Sequence, residues 1–113
     1  MPQTTPAKIL RIHISQSDQY QGKSLLDSIM AKCREMNIAG ATVFRGLEGY
    51  GETAAIHRRH LGSNDEPLII VVVDVMENIE QLIPEVERMM TTGVLATSGV
   101  EMMRVDRTGG VEG

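Results

Sequence analysis

The sequence predicts an α+β domain whose elements follow the order β-α-β-β-α-β. Two segments repeat apolar residues at helical spacing, and four short segments either alternate in polarity or are rich in β-branched residues. The chain has 113 residues, 42% of them hydrophobic, which suits a single core. We place one domain at residues 7–106 and expect flexible tails at 1–6 and 107–113.

The first half of the chain contains a strand, a helix and a second strand. Residues 7–14 alternate in polarity, which predicts a strand with one well-buried face. The polar residues 15–22 predict a loop. Apolar side chains at helical spacing predict a helix over 23–37, and Gly40 follows it as a stop signal. Residues 41–45 form the second predicted strand.

The centre of the chain combines a long patternless segment with a strongly apolar strand. Residues 46–67 are too many for an ordinary hairpin loop, and loops of this length are usually functional or partly disordered. Residues 68–75 are a nearly continuous β-branched run, which predicts a strand buried on both faces.

The last third contains a helix and a strand. Residues 77–90 carry the clearest helical stripe of the chain, although Pro84 lies inside it. An interior proline costs about 3 kcal/mol, so we expect the helix to kink there or to begin later than the pattern suggests. Residues 91–98 predict a loop, and residues 99–106 predict the final strand.

This order of elements is that of the ferredoxin-like fold. Right-handed crossovers then favour a four-stranded antiparallel sheet with both helices on one face. The other face would expose Ile9 and much of the valine-rich third strand. Because a monomer rarely leaves so large an apolar patch open, we predict that a homo-oligomer buries this face.

The predicted topology brings three connections to one end of the molecule. They are residues 15–22, 46–67 and 91–98, and the N-terminus of the first helix points to the same end. Helix N-termini offer N–H donors and partial positive charge, so this end suits an anion such as phosphate.

Composition excludes several classes of protein. Aromatic residues make up only 3% and the formal net charge is −4, which argues against nucleic-acid binding. The single cysteine, Cys33, excludes a disulfide scaffold within the chain and falls on the apolar stripe of the first helix. No apolar run reaches the ~20 residues needed to span a bilayer. We therefore expect a cytoplasmic protein without membrane insertion.

The segment Gly40–Gly51 is the strongest functional signal. A short strand runs directly into Gly46, Gly49 and Gly51. Glycine tolerates positive φ and close backbone approach, so the cluster predicts either turn geometry or the base of a ligand-holding loop. Both interpretations stay open on this pattern alone.

A basic cluster, residues 57–60, follows in the long loop. His57 and His60 are three residues apart and could share a metal, joined by a carboxylate from Glu52 or Asp65. Two histidines do not complete a metal site, so we favour a cationic loop that contacts an anion or a partner, and predict no metal. No nucleophile–base pair is apparent, so we do not predict an enzyme; a small metal-binding or hydrolytic trimer using His57 and His60 is the alternative.

Two further positions admit both structural and functional interpretations. Asp18, Tyr20 and Lys23 precede or open the first helix, where they either cap and steady it or form a wall of a ligand cleft. His13 on a strand face is more typical of packing or an interface than of catalysis.

Two motifs carry a family resemblance over about residues 8–105. They are S-x-S-D-x-Y-x-G-K-x-L at Ser15–Leu25 and G-A-T-V-F-R-G-x-x-G-Y-G at Gly40–Gly51. With the order of elements, they resemble the uncharacterised PII-like family, relatives of the PII nitrogen-regulatory signalling proteins. The resemblance implies a ferredoxin-like homotrimer that binds adenine nucleotides in clefts between subunits. It also implies that the loop 46–67 senses the ligand and docks onto a target protein, whether a transporter, a channel or an enzyme.

The resemblance also implies which residues form the site. Gly49–Gly51 is similar to the Gly-Phe-Gly at the base of the PII loop, and Thr92–Val94 resembles the start of the second ligand loop. That loop normally continues to a phosphate-binding lysine, which Leu95–Gly99 lacks, so AMP or ADP is favoured over ATP. The expected nucleotide-binding residues are Arg45, Gly46, Gly49, Tyr50, Gly51, Gly93, Val94, Arg104 and Arg107. The expected sensing-loop residues are Glu52, His57, Arg58, Arg59 and His60.

Overall fold

The computed structural model describes residues 3–47 and 65–108. In this part of the chain two helices and six strands follow one another. They are β1 (Thr5–Ser15), β2 (Gln19–Tyr20), β3 (Lys23–Ser24), α1 (Leu25–Glu35), β4 (Ala41–Arg45), β5 (Pro67–Val75), α2 (Met76–Met89) and β6 (Val94–Met102).

The main sheet has four antiparallel strands in the order β4-β5-β1-β6. The first strand is therefore central: Leu10 lies opposite Val72 of β5 on one side and Thr97 of β6 on the other. Both helices contribute to the same core as the inward side chains of these strands. The predicted α+β, ferredoxin-like fold with one helix-covered sheet face is confirmed.

The core lies between the helices and the inner face of the sheet. Aliphatic side chains at alternate strand positions meet the apolar stripes of the two helices, and each is almost fully removed from water. The largest of them are Leu10, Ile12, Ile70 and Val72 from the strands and Leu25, Ile29, Ile79, Leu82 and Val86 from the helices. Burial of such side chains contributes ~1.5–3 kcal/mol each, which makes this layer the main source of stability.

The segment predicted as a loop at residues 15–22 contains half of a small hairpin. Gln19–Tyr20 pairs with Lys23–Ser24, and the turn residues Gln21 and Gly22 have φ of 52° and 80°. Positive φ at both central residues is typical of a tight two-residue hairpin turn. Because Lys23–Ser24 belongs to this hairpin, α1 begins at Leu25 rather than at residue 23.

Helix α2 agrees with its prediction to within one residue at each end. It runs from Met76 to Met89 with Pro84 inside it, so it does not begin late. Its first turn follows Asp74, whose carboxylate accepts hydrogen bonds from Val75 N (2.7 Å), Asn78 Nδ2 (3.0 Å) and Ala39 N (2.9 Å). These contacts fix the helix entry without a side-chain N-cap.

The prediction for the last strand is wrong at both ends. We expected a loop over residues 91–98 and a strand over 99–106, but β6 is Val94–Met102. Its first half pairs with residues 9–13 of β1. An edge strand needs few buried side chains, so the small and polar residues of Val94–Ser98 give little strand signal. At the other end of the sheet, β1 begins at Thr5, two residues before the predicted start.

One face of the sheet carries no helix, and we call it the outer sheet face. Its residues are identified by their register opposite one another. Those in its central part are Ile9, Arg11, His13, Thr42, Phe44, Ile69, Val71, Val73, Val94, Ala96 and Ser98. The expected two-sided burial of β5 is therefore absent in the single chain: Leu68, Ile70 and Val72 are buried, whereas Ile69, Val71 and Val73 are only half-buried.

Candidate functional site

Three connections meet at one end of the sheet, as the sequence predicts. Gly46 N, after β4, donates to Pro67 O at 2.8 Å. Gln16 N, after β1, donates to Glu66 O at 2.8 Å, and Ser17 N donates to Asp65 Oδ1 at 3.1 Å. Backbone hydrogen bonds therefore close the ends of the 46–67 connection and join it to the connection that follows β1. The third connection reaches the same end at Gly93, where a Cβ would lie 2.6 Å from His13 O near the end of β1.

A shallow polar cleft of about 250 Å³ opens at this end. It lies between the β1–α1 connection and the α2–β6 connection. Its lining residues are Ser17, Asp18, Gln19, Leu25, Thr91 and Thr92. Hydroxyl, amide and carboxylate groups dominate this lining, so it suits a ligand that forms several hydrogen bonds. None of these residues is among the expected nucleotide-binding residues, but the sequence admits Asp18 as a wall of a ligand cleft, and Thr92 begins the segment that resembles the second ligand loop.

The N-terminus of α1 offers fewer N–H donors than expected. Ser24 Oγ accepts from Asp27 N at 3.2 Å, and Asp18 O accepts from Leu25 N at 2.9 Å. The Asp18 side chain is also engaged, because its Oδ2 accepts from Ser15 N at 2.9 Å. The structure thus assigns Asp18 to fixing the turn between β1 and the first hairpin.

Arg45 and Gly46 end β4 beside the start of β5. Arg45 Nε lies 3.4 Å from Glu66 Oε1, so an ion pair already engages its largely exposed guanidinium. A Cβ on Gly46 would lie 2.9 Å from Pro67 Cγ, which is closer than real Cβ contacts. Close packing against Pro67 is a structural reason for glycine at this position.

Gly93 and Val94 lie at the start of β6, next to the end of β1. Gly93 has φ of 127°, and a Cβ there would lie 2.6 Å from both His13 O and Met90 Cε. Only glycine fits this conformation and this space. Val94 is 58% exposed and faces outward from the sheet beside His13. The two residues therefore mark the rim of this end of the fold.

Arg104 and Arg107 are far from these residues within one chain. They follow the C-terminal end of β6, whose nine residues span about 30 Å. Arg104 lies close enough to Asp74 to help lower the pKa of that carboxyl, at the opposite end of the sheet from Gly93. Among the described residues of a single chain, Arg104 and Gly93 therefore lie at opposite ends of the sheet.

The remaining predicted site residues lie outside the described residues. These are Gly49, Tyr50, Gly51, Glu52, His57, Arg58, Arg59 and His60. Within residues 3–47 and 65–108, no group of three His, Cys, Asp or Glu side chains is arranged to hold a metal ion. Neither helix in those ranges is long and apolar enough to cross a bilayer.

Comparisons with known sequences identify the family. The sequence profile of DUF190, described as an uncharacterized ACR, matches residues 7–102. A UPF0166 protein of Aquifex aeolicus is 29% identical over 98 residues, which covers 85% of this chain and 92% of that protein. A UPF0166 protein of Methanocaldococcus jannaschii is 37% identical over 81 residues, covering 70% of this chain and 74% of that protein.

Solved structures of CPII from Thiomonas intermedia share the fold. The apo form, a nitrogen regulatory PII-like protein, aligns with a TM-score of 0.63 at 15% identity, covering 93% of this chain and 100% of that chain. The form bound to ADP and bicarbonate gives 0.63 at 19% identity, covering 92% and 95%. The form bound to ADP, AMP and acetate gives 0.62 at 17% identity, covering 90% and 93%. The resemblance drawn from the two sequence motifs is confirmed, and the chain belongs to the DUF190 (UPF0166) family with a PII-like fold.

Proposed function

We propose that this protein is a PII-like regulator that binds an adenine nucleotide between the subunits of a homotrimer. In this proposal, the loop of residues 46–67 changes with the ligand and alters the affinity for a target protein. The observation that carries the proposal is the convergence of three chain connections at one end of the sheet, with Gly46 and Gly93 at the rim. CPII, which shares this fold, has been solved with ADP and with AMP.

The outer sheet face supports the trimer. It is mostly apolar and half-open to water in the single chain, and Phe44 and Val94 are 54% and 58% exposed on it. Burial of such a surface between copies is favourable by ~25 cal/mol per Å² of apolar area. Closed cyclic symmetry buries the same face of every copy, which fits a face that spans all four strands.

The separation of the arginines from the glycine loops also supports a site between subunits. Arg104 and Arg107 follow the end of β6 opposite Gly93, and Arg104 lies near Asp74 there, so these arginines complete the cleft only when a neighbouring copy supplies them. Guanidinium groups suit phosphate because their planar fork donates two parallel hydrogen bonds. The segment Leu95–Gly99 lies in β6 and has no lysine, which favours AMP or ADP over ATP.

Calorimetric titration of AMP, ADP and ATP into the trimer tests the ligand. We expect AMP or ADP to bind at least about tenfold more tightly than ATP. Replacing Arg104 and Arg107 together by Gln should weaken binding by about tenfold or more, since charge-assisted hydrogen bonds to phosphate are lost. Arg34→Gln, which removes an exposed arginine from α1, is the matched control and should bind normally.

Two results would count against the proposal. If none of the three nucleotides gave a heat of binding or a thermal shift, the proposed adenine-nucleotide ligand would be wrong. If the double variant and the wild type bound with equal affinity, Arg104 and Arg107 would not contact the nucleotide.

The regulatory step has its own test. Capture of a target protein in the presence but not the absence of the bound nucleotide would support it, because such coupling requires that the two loop states bind the ligand with different affinities.

A further inference from the structure

Two basic residues of the central strand lie on the mostly apolar outer sheet face. Arg11 and His13 are on β1, the central strand, and their side chains share one face at a spacing of about 7 Å. Arg11 lies between Val71 and Ala96 in the register of the sheet, so aliphatic side chains flank it on both neighbouring strands.

No carboxylate of the described residues balances Arg11. The outer sheet face contains no Asp or Glu in the described strands. Within the described residues, Arg11 donates a long hydrogen bond of 3.4 Å from Nη1 to Ser98 Oγ. By contrast, Lys8 on the helix-covered face pairs with Glu80 of α2 at 3.2 Å. The basic residue on the helix-covered face of β1 is therefore paired with a carboxylate, whereas the one on the outer sheet face has no such partner among the described residues.

Formation of the proposed trimer makes the unpaired charge of Arg11 important. A cyclic trimer that buries the outer sheet face directs the same face of all three copies toward the symmetry axis. Three Arg11 side chains then approach one another in a partly dehydrated space. Like charges repel, and an unpaired buried charge is strongly destabilising, so the assembly needs negative charge at this position.

We infer that the trimer holds a small oxyanion, of the sulfate, phosphate or carboxylate class, between the Arg11 and His13 side chains of neighbouring copies. The guanidinium supplies paired N–H donors, and the imidazole supplies a further donor from two residues away. The site rests on the proposed trimer, because one copy provides only part of it. It is distinct from the proposed nucleotide cleft, since Arg11 lies in the middle of the sheet and the His13 side chain lies on the outer sheet face, whereas only the backbone carbonyl of His13 approaches Gly93.

Thermal unfolding of the full chain in sulfate tests the inference, with chloride added to keep the ionic strength constant. Sulfate also stabilises proteins generally by exclusion from their surface, and that effect grows steadily with concentration. A bound anion instead raises the melting temperature in proportion to the logarithm of its concentration above its Kd. We expect the logarithmic rise in the wild type and in Arg34→Gln.

Arg11→Gln should lose the logarithmic rise, with an apparent sulfate affinity at least about tenfold weaker. Arg11→Lys keeps the charge without the planar fork and should retain the rise at reduced affinity. Because Arg11 lies in the middle of β1, away from Gly46 and Gly93, both substitutions should leave calorimetric binding of AMP or ADP by the trimer unchanged, which separates this site from the nucleotide cleft.

Sedimentation velocity separates the possible failures. A trimer whose melting temperature rises only linearly with sulfate would overturn the anion site and leave the proposed function intact. A trimer that Arg11→Gln dissociates equally with and without sulfate would mean that a carboxylate of another copy balances Arg11, which also overturns the inference. A monomer at every protein concentration would overturn both the inference and the trimer.

Discussion

At the scale of single residues, Gly93 links the fold to the candidate site. Its φ of 127° and the close approach of His13 O exclude a side chain, so Gly93 is required for the chain to enter β6 beside the end of β1. Loss of ligand binding on substitution of Gly93 would therefore report a displaced strand as readily as a lost ligand contact.

We expect Gly93→Ala to lower the free energy of unfolding by about 2 kcal/mol or more, from backbone strain and the two short contacts. The measurement is urea denaturation followed by circular dichroism. Gly99→Ala, within β6, is the matched control: Gly99 has no positive φ and a Cβ there would meet no atom within 4 Å, so its effect should lie within about 1 kcal/mol of zero. Equal destabilisation by both substitutions would contradict the steric explanation.

Asp74 is the second residue whose contacts reach beyond its own element. It is 3% exposed and joins the end of β5 to the first turn of α2 and to Ala39. Burial alone would raise the pKa of this carboxyl. Hydrogen bonds from Asn78, Ala39 and Val75, with nearby Arg104, outweigh that effect, and the pKa of Asp74 is lowered.

A lowered folded-state pKa sets the sign of the pH dependence. The ionised Asp74 stabilises the fold above the ordinary carboxyl pKa of about 3.9, and this contribution disappears as the pH falls through the lower folded-state pKa. We expect Asp74→Asn to be less stable than the wild type at pH 7 and to approach it near pH 3, measured by urea denaturation across that range. A difference that is constant with pH would contradict this linkage.

At the scale of elements, Pro84 leaves α2 with one missing backbone hydrogen bond. Proline has no N–H, so the Glu80 carbonyl lacks its donor in the middle of the helix. Tertiary packing compensates, since Ile79, Leu82 and Val86 are fully buried around this position. The stripe of buried residues therefore determines the helix, and the proline does not end it.

Replacing Pro84 by Ala should raise the free energy of unfolding by about 1–3 kcal/mol, because alanine restores the hydrogen bond and is a better helix former than proline. Thermal denaturation measures the change. Glu87→Ala, at an exposed position of the same helix, should change stability by less than about 0.5 kcal/mol. If Pro84→Ala were less stable than the wild type, the stabilisation that proline gives by restricting the unfolded chain would outweigh the missing hydrogen bond.

The elements differ in how well the sequence predicts them, for physical reasons. Strand β4 has its predicted bounds because Gly40 and Gly46 flank its short β-branched run. Helix α2 nearly has its predicted bounds because its apolar periodicity reflects burial directly. The first half of β6 was missed because its backbone pairing with β1, rather than its side chains, keeps it in the sheet. The hairpin of β2 and β3 was detectable in principle from Gln21–Gly22, a two-residue turn with glycine second.

At the scale of the whole molecule, one chain contains only part of the proposed cleft. The sequence predicts correctly that three connections share one end, because topology alone requires it. The same topology carries the last strand, and the arginines that follow it, to the other end of the sheet. The sequence cannot show how copies assemble, since no local pattern encodes which neighbouring copy supplies arginines to a cleft. If the proposed trimer forms, each cleft combines residues of two copies, and this can be tested without a further structure.

Mixed trimers provide that test. Arg45→Gln alters one side of the proposed cleft, and the double replacement of Arg104 and Arg107 by Gln alters the other, so each variant alone should bind AMP or ADP at least about tenfold more weakly. Trimers co-assembled from equal amounts of the two should regain wild-type affinity in about a quarter of their clefts, as random cyclic assembly requires. Calorimetric stoichiometry measures this fraction. Absence of recovery would place all three arginines in the same copy or outside the cleft.

The central place of the first strand in the sheet has a consequence for how the chain is made. The partners of β1 are Pro67–Val75 and Val94–Met102, both in the second half of the chain. During synthesis the apolar side chains of β1 therefore have no sheet partner until β5 has been made, and the second edge of β1 stays open until the last strand arrives. Unpaired apolar strands aggregate readily, and pairing between distant segments is slow. We thus expect the nascent chain to depend on protection of its first strand until nearly the whole domain has emerged.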